Sequence, residues 1–101
     1  MSRVVHFEIN ADNPERAVKF YEKVFEWKIE KLAGPVDYWL ITTGEEKEPG
    51  INGAIKHRSD SLATVNTVSV PSVDEFLRKI TQAGSKVMSP KMPIPGIGYH
   101  A

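Results

Sequence analysis

Apolar and polar positions along this chain alternate with two different periods, and these periods predict where strands and helices lie. A period of two over residues 3–9 predicts a strand with its apolar side chains on one side. A period of three to four predicts an amphipathic helix that begins at Asn13, a good N-cap, with Pro14 in its first turn. The apolar stripe of this helix is predicted to be Ala17, Val18, Tyr21, Val24 and Phe25. Further strands are predicted at 27–32, 37–43 and 51–57.

The second half of the chain repeats the order of a strand followed by a helix. A strand is predicted at 64–70, and Ser72 with Glu75 forms a capping box for a second helix, which Gly84 ends. The apolar stripe of the second helix is predicted to be Val73, Phe76, Leu77, Ile80 and Ala83. After it come a short strand at 85–88, a proline-rich loop at 89–96 and the beginning of a strand at 97–101.

The two halves align as copies of one unit. Placing Asn13 on Ser72 also places His6 on Val65, so the copies differ at a position that can bind a metal in the first copy only. We expect a polar link at 58–61 to separate the copies.

The chain is therefore expected to form a single domain over residues 1–101. Module one would span 1–58 with the order β-α-β-β-β, and module two would span 62–101 and be incomplete. A sheet cut at that point exposes an edge. Either the sequence given is a fragment, or residues follow Ala101, or a partner chain covers the edge.

The composition excludes several classes of function. Lys plus Arg and Asp plus Glu number 13 each, so no basic surplus supports binding of nucleic acid. Cysteine is absent, which excludes disulfides, thiolate metal sites and cysteine nucleophiles. No apolar run approaches the roughly 20 residues of a membrane span, and a cytoplasmic location is expected.

The chain resembles the vicinal oxygen chelate superfamily, which includes glyoxalase I, bleomycin-resistance proteins and extradiol dioxygenases. The matching stretches lie at 5–9, 12–17, 20–21, 25–27, 37–40, 50–53 and 90–99, and they are most similar to one branch of bacterial glyoxalase-like proteins. The resemblance covers nearly the whole chain. It implies an α+β fold in which paired βαβββ modules form a cupped mixed sheet, with helices outside and a cavity inside. It also implies a homodimer, because the family assembles its modules across two chains.

Metal-using members of this family resemble one another at four positions: a residue, usually histidine, on the first strand of each module, and a glutamate on the last strand of each. His6 fits the first position, but Val65 cannot bind a metal and residues 51–56 contain no carboxylate. The fourth position would lie beyond Ala101. We therefore expect no metal cofactor, and His6 would be a ligand only if a metal is present.

The resemblance and these departures favour a protein that binds a small molecule in its sheet cavity without a metal site. The alternative is a lyase, isomerase or dioxygenase that depends on a divalent metal such as Ni, Zn, Fe or Mn. It would use His6 with ligands from an unseen C-terminal strand or a second subunit, so enzymatic activity stays open and no catalytic residue is assigned. A third alternative is an interaction module that pairs through its open sheet edge. The residues expected to contact the ligand are His6, Glu8, Trp39, Asn52, Thr67 and Tyr99.

Several of these residues also have a purely structural interpretation. His6 could be a hydrogen-bonded interior histidine, and Glu8 could form an ion pair with a lysine across the sheet. Asn52 could pair with a neighbouring strand. Tyr38 and Trp39 lie on opposite faces of their strand, so one should pack in the core and the other should line the cavity or an interface.

Overall fold

The structure is a computed structural model that describes residues 2–59 and 63–101. Its contacts divide the chain into two compact units: the sheet unit, Arg3–Ser69, and the C-terminal unit, which contains Val70–Ala101. The elements are β1 (Val4–Ala11), α1 (Pro14–Phe25), β2 (Lys28–Leu32), β3 (Tyr38–Thr42), β4 (Asn52–His57), β5 (Thr64–Val68), α2 (Val73–Gln82), β6 (Met92–Ile94) and β7 (Gly98–His100).

The sheet unit is a five-stranded mixed sheet in the order β2-β3-β4-β1-β5. Strand β1 runs parallel to β4, and the other neighbouring pairs are antiparallel. One complete βαβββ module is therefore present, and β5, which the repeat assigns to the second copy, pairs with β1 in the same sheet. The predicted α+β class and mixed sheet are confirmed. The predicted link at 58–61 and the start of module two at 62 lie partly outside the described residues.

The core of the sheet unit lies between the sheet and α1. Trp39, Ile41 and Ile55 are its buried centre, and paired positions on neighbouring strands point to this same side. Phe7 and Ile9 of β1 pack against it, as their predicted alternation requires. Ala17, Val18, Tyr21, Ala11, Trp27 and Ile29 complete the contacts with this centre.

Helix α1 begins as the sequence predicts, because the Asn13 side chain accepts a hydrogen bond from the Arg16 N–H at 3.2 Å. Its apolar stripe is shorter than predicted. Ala17, Val18 and Tyr21 pack on the core, but Val24 and Phe25 are more than half exposed. Phe25 stacks on Tyr21 and Trp27 at the end of the helix but stays exposed on its other side, so the helical period alone overstates the buried face.

The chain leaves α1 through Glu26, whose φ of 58° places it in the left-handed region. Its N–H donates to the carbonyl of Glu22 at 3.1 Å, which satisfies one of the last helical carbonyls. The turn brings Trp27 onto Tyr21, with ring centroids 5.0 Å apart and ring planes within 4°. This stacking fixes the direction in which β2 starts.

The C-terminal unit contains α2 and a two-stranded sheet of β6 and β7. The predicted strand at 85–88 is wrong: this segment forms no ladder, and Met88 is 88% exposed. The proline-rich loop prediction is wrong at Met92–Ile94, which pairs with Gly98–His100. Pro93 is tolerated because both strands of a two-stranded sheet are edges.

Helix α2 begins at its predicted cap, since the Ser72 hydroxyl accepts the Glu75 N–H at 3.2 Å. Gly84 has a φ of +94°, which suits the predicted helix end. None of the residues of α2 is buried, so its predicted apolar stripe lacks a buried side chain. Neither α1 nor α2 is long and apolar enough to cross a membrane.

Candidate functional site

The face of the sheet opposite α1, named the open face here, carries most of the polar candidates. His6 pairs with Asn52 on one side and Thr67 on the other, so these three residues share this face. Glu8, two residues along β1, pairs with Ala54 and Val65. The register brings to the same face Tyr38, Leu40 and Lys56.

Tyr38 joins His6 and Glu8 through two hydrogen bonds. Its hydroxyl donates to Glu8 Oε2 at 2.6 Å, and the same oxygen lies 3.1 Å from His6 Nε2. All three side chains are partly buried. We call this arrangement the His6–Tyr38–Glu8 cluster. It is the most connected set of titratable groups on the open face among the residues that the structure describes.

Glu8 does not form the ion pair with a lysine across the sheet that its structural interpretation predicts. No lysine of the described part of the chain forms an ion pair with Glu8. Instead the carboxylate accepts the short hydrogen bond from Tyr38. A charged acceptor strengthens such a bond relative to a neutral pair. The predicted proximity of His6 and Glu8 on one face is therefore present, and a third residue connects them.

The Tyr38 hydroxyl is held in its protonated form. Burial raises the pKa of Tyr38 well above its usual value, and the hydrogen bond to Glu8 and the negative charge of that carboxylate raise it further. A phenolate beside Glu8 would place two negative charges together in a partly desolvated site. At neutral pH the cluster therefore contains a neutral phenol that donates to Glu8.

Trp39, which is expected from the sequence to contact the ligand, lies on the face of the sheet that packs against α1. It is 6% exposed and belongs to the core cluster beneath α1. This corrects the expected placement: Trp39 is the core aromatic of β3, and Tyr38 is the aromatic on the open face. Alternation predicted that the two residues point in opposite directions, but it did not say which one points to α1.

Asn52 lies at the start of β4, beside His6 in register. Its side-chain oxygen accepts the backbone N–H of Thr43 at 2.9 Å and lies 3.3 Å from the Thr43 hydroxyl. Asn52 therefore pairs with a neighbouring segment, as its structural interpretation predicts. Asn52 also lines a depression of about 180 Å³ that is otherwise formed by residues 43–50.

The remaining candidates are less defined by contacts. Thr67 is exposed and shares the open face with His6 through the pairing of β1 and β5. Tyr99 belongs to the C-terminal unit and is 60% exposed. The Lys91 ammonium lies 4.4 Å from the centroid of its ring. A role for Tyr99 in ligand binding stays a prediction.

The residues around His6 do not fit a metal centre of the kind that the metal-dependent alternative requires. The neighbours of His6 in register are Asn52 and Thr67, and Glu8 accepts a hydrogen bond from Tyr38. Across residues 2–59 and 63–101, no three His, Asp or Glu side chains come close enough to share a metal ion. Three or four nitrogen, oxygen or sulfur ligands are usual for a metal such as zinc. We therefore derive no chemistry through a bound metal.

Comparison with known protein families agrees with this architecture. The family model described as Glyoxalase/Bleomycin resistance protein/Dioxygenase superfamily matches residues 3–98. No curated protein sequence matches the chain. The family match covers most of both compact units, and the βαβββ order of the sheet unit is the one that the sequence resemblance implies. The chain belongs to the Glyoxalase/Bleomycin resistance protein/Dioxygenase superfamily.

Proposed function

We propose that this protein binds a small organic molecule on the open face of its sheet, with the His6–Tyr38–Glu8 cluster as the polar anchor. The observation that carries the proposal is the cluster itself, in which three titratable side chains are connected at 2.6 and 3.1 Å on the face away from the core. Binding sites for small molecules typically combine an apolar lining with a few converging polar groups of this kind.

The residues next to the cluster supply the apolar part of such a site. Leu40 is 38% exposed on the open face, and Val65 is partly exposed beside Glu8. Ala54, which lies between Glu8 and Leu40 in register, is fully buried and offers a ligand no surface of its own. A ligand could therefore cover Leu40 and Val65 while its polar atoms face His6 and Glu8.

A second copy of the chain is proposed to complete the cavity. Support comes from the family resemblance, in which modules pair across two chains, and from the two edge strands of the sheet, β2 and β5. Light scattering at micromolar concentration should give the mass of two chains. A monomer would contradict this part of the proposal and leave binding to the single chain.

A screen of small molecules by backbone ¹H–¹⁵N correlation NMR tests the proposal. Bound molecules should shift the amides of β1, β3 and β5 and leave α1 unchanged. His6→Ala should weaken binding by about tenfold, because it removes a hydrogen-bonding partner of the ligand worth roughly 1–1.5 kcal/mol. Tyr38→Phe should weaken binding less, because the Tyr38 hydroxyl is already hydrogen-bonded to Glu8 and His6 and acts on the ligand only by positioning them. Lys19→Ala, a change at an exposed position of α1, is the matched control and should leave affinity unchanged.

Two results would contradict the proposal. Bound molecules that shift only residues 43–50 would place the site at the depression between β3 and β4 instead. Retention of about one Ni, Zn, Fe or Mn ion per chain, lost in His6→Ala, would replace it with the metal-dependent alternative. Elemental analysis of the purified protein after incubation with each metal measures this directly.

A further inference from the structure

We infer that Glu8, acting through Tyr38, holds the neutral imidazole of His6 in one tautomer, with its proton on Nε2 and the lone pair of Nδ1 left for a ligand. The cluster would then select molecules that present an O–H or N–H donor. The ligand selectivity rests on the proposed function, whereas the tautomer is a property of the protein without ligand.

The first step is the position of the Tyr38 proton. Glu8 Oε2 lies 2.6 Å from the hydroxyl oxygen, and an ionised carboxylate can only accept hydrogen bonds. Turning the proton elsewhere would leave two oxygen atoms facing each other at that distance with no hydrogen between them. The protonated state of Tyr38, which burial and Glu8 both favour, is consistent with this assignment.

The second step is the position of the His6 proton. A hydroxyl has one proton, and Tyr38 gives it to Glu8, so the hydroxyl oxygen can only accept from His6 Nε2 at 3.1 Å. A neutral imidazole carries one N–H, which must then be on Nε2. Nδ1 is left as an acceptor.

The third step concerns the hydrogen-bond acceptors of the cluster that have no partner within it. In the described part of the structure, neither His6 Nδ1 nor Glu8 Oε1 has a hydrogen-bond partner. Both are acceptors, and both belong to side chains on the open face. A ligand with an alcohol, amide N–H or ammonium group can satisfy them, whereas an ether or a tertiary amide cannot. Glu8 is thus a positioning residue for His6, and its Oε1 is a second acceptor for the ligand.

The tautomer is measured directly by two-bond ¹H–¹⁵N correlation NMR of the histidine rings in the ligand-free protein, at mildly alkaline pH. We expect His6 to show a pyrrole-type nitrogen at Nε2 and a pyridine-type nitrogen at Nδ1. The internal control is the exposed His100, whose ring has no hydrogen-bond partner among the described residues and should show averaged shifts. Tyr38→Phe should move His6 toward the averaged pattern. Averaged shifts for His6 in the unmodified protein, or a proton on Nδ1, would overturn the inference.

The selectivity is measured with two matched probes, benzyl alcohol and benzyl methyl ether, titrated against the same protein by amide NMR. The alcohol should bind about fivefold more tightly, the factor expected for one neutral hydrogen bond, and His6→Ala should reduce this ratio. Equal affinities would refute the donor selectivity. If neither probe shifts open-face amides, the donor selectivity and the proposed site are both contradicted. The tautomer inference is tested independently, because it is measured in the ligand-free protein.

Discussion

Gly53 lies where β1 and β4 approach each other so closely that a side chain would collide with Phe7. A Cβ atom at Gly53 would collide with the Phe7 carbonyl oxygen and would lie 2.7 Å from two atoms of the Phe7 ring. Real Cβ contacts essentially never fall below 3.0 Å. Because the closest atom belongs to the backbone of β1, a side-chain rotation cannot relieve the contact. Gly53→Ala should therefore force the two strands apart.

The expected loss follows from two opposing effects. Overpacking a well-packed interior costs about 1–3 kcal/mol. Replacing glycine by alanine also removes freedom from the unfolded chain, which stabilises the protein by about 0.4–1 kcal/mol. The middle of the two ranges gives a net loss of about 1.3 kcal/mol, and for a domain of this size that lowers the Tm by roughly 5–10 °C.

Gly34→Ala is the matched control. A Cβ atom at Gly34 would meet nothing within 4 Å, and its φ is outside the left-handed region. This variant should be as stable as the unmodified protein or more stable by up to about 1 kcal/mol.

Urea unfolding followed by tryptophan fluorescence reports on the relevant region, because Trp27 and Trp39 both belong to the core or pack against it. We expect the Gly53→Ala midpoint to fall and the Gly34→Ala midpoint to stay or rise. Equal midpoints for the two variants would refute the argument that β1 and β4 need glycine at this contact.

Three further predictions follow from the structure. Ile55→Ala empties a fully buried position and should cost about 2–5 kcal/mol in urea unfolding, whereas Val36→Ala, at a 70% exposed position, should change the free energy by less than about 0.5 kcal/mol. Ser72→Ala removes the cap of α2, so the Glu75 amide should exchange its hydrogen about fivefold faster; an unchanged rate would contradict the cap. Folding raises the pKa of Tyr38, so protonated Tyr38 stabilises the folded protein. This stabilisation is fully present below the ordinary tyrosine pKa of about 10, and it is lost as the pH rises above that value. Stability should fall less steeply above that pH in Tyr38→Phe than in the unmodified protein, and parallel curves would refute the assignment.

Local patterns predicted most of the sheet unit. Residues close together in the chain determine the cap of α1, the order of the strands along the sheet unit and the apolar side of β1. Each predicted strand in this unit ends within two residues of the observed strand. Residues His6 and Glu8 could be placed together for the same reason, since positions i and i+2 of a strand share a face.

The connection through Tyr38 could not be predicted from local patterns. It depends on the register of β3 against β4 and of β4 against β1, which together bring Tyr38 to the face of His6 and Glu8. The sequence contained one usable signal: both tyrosine and tryptophan bury a ring, but only the tyrosine hydroxyl can join two polar groups. That signal favours Tyr38 over Trp39 beside a histidine and a glutamate.

The C-terminal unit was predicted less well because its strands are short. Val87 and Met88 are apolar, but residues 85–88 have no ladder partner, so they form no strand. Met92–Ile94 forms one in spite of Pro93 because Gly98–His100 returns beside it. Pairing between short segments depends on the turn that joins them, and here Gly96 in that turn has a φ of +75°.

A crystal structure of the protein soaked with small alcohols and primary amides is the most direct test of the proposed site. We expect electron density for a bound molecule on the open face, with its donor group within hydrogen-bond distance of His6 Nδ1 and with Tyr38 still bridging His6 and Glu8. Molecules bound only along residues 43–50, or a Tyr38 hydroxyl that contacts neither His6 nor Glu8, would contradict it.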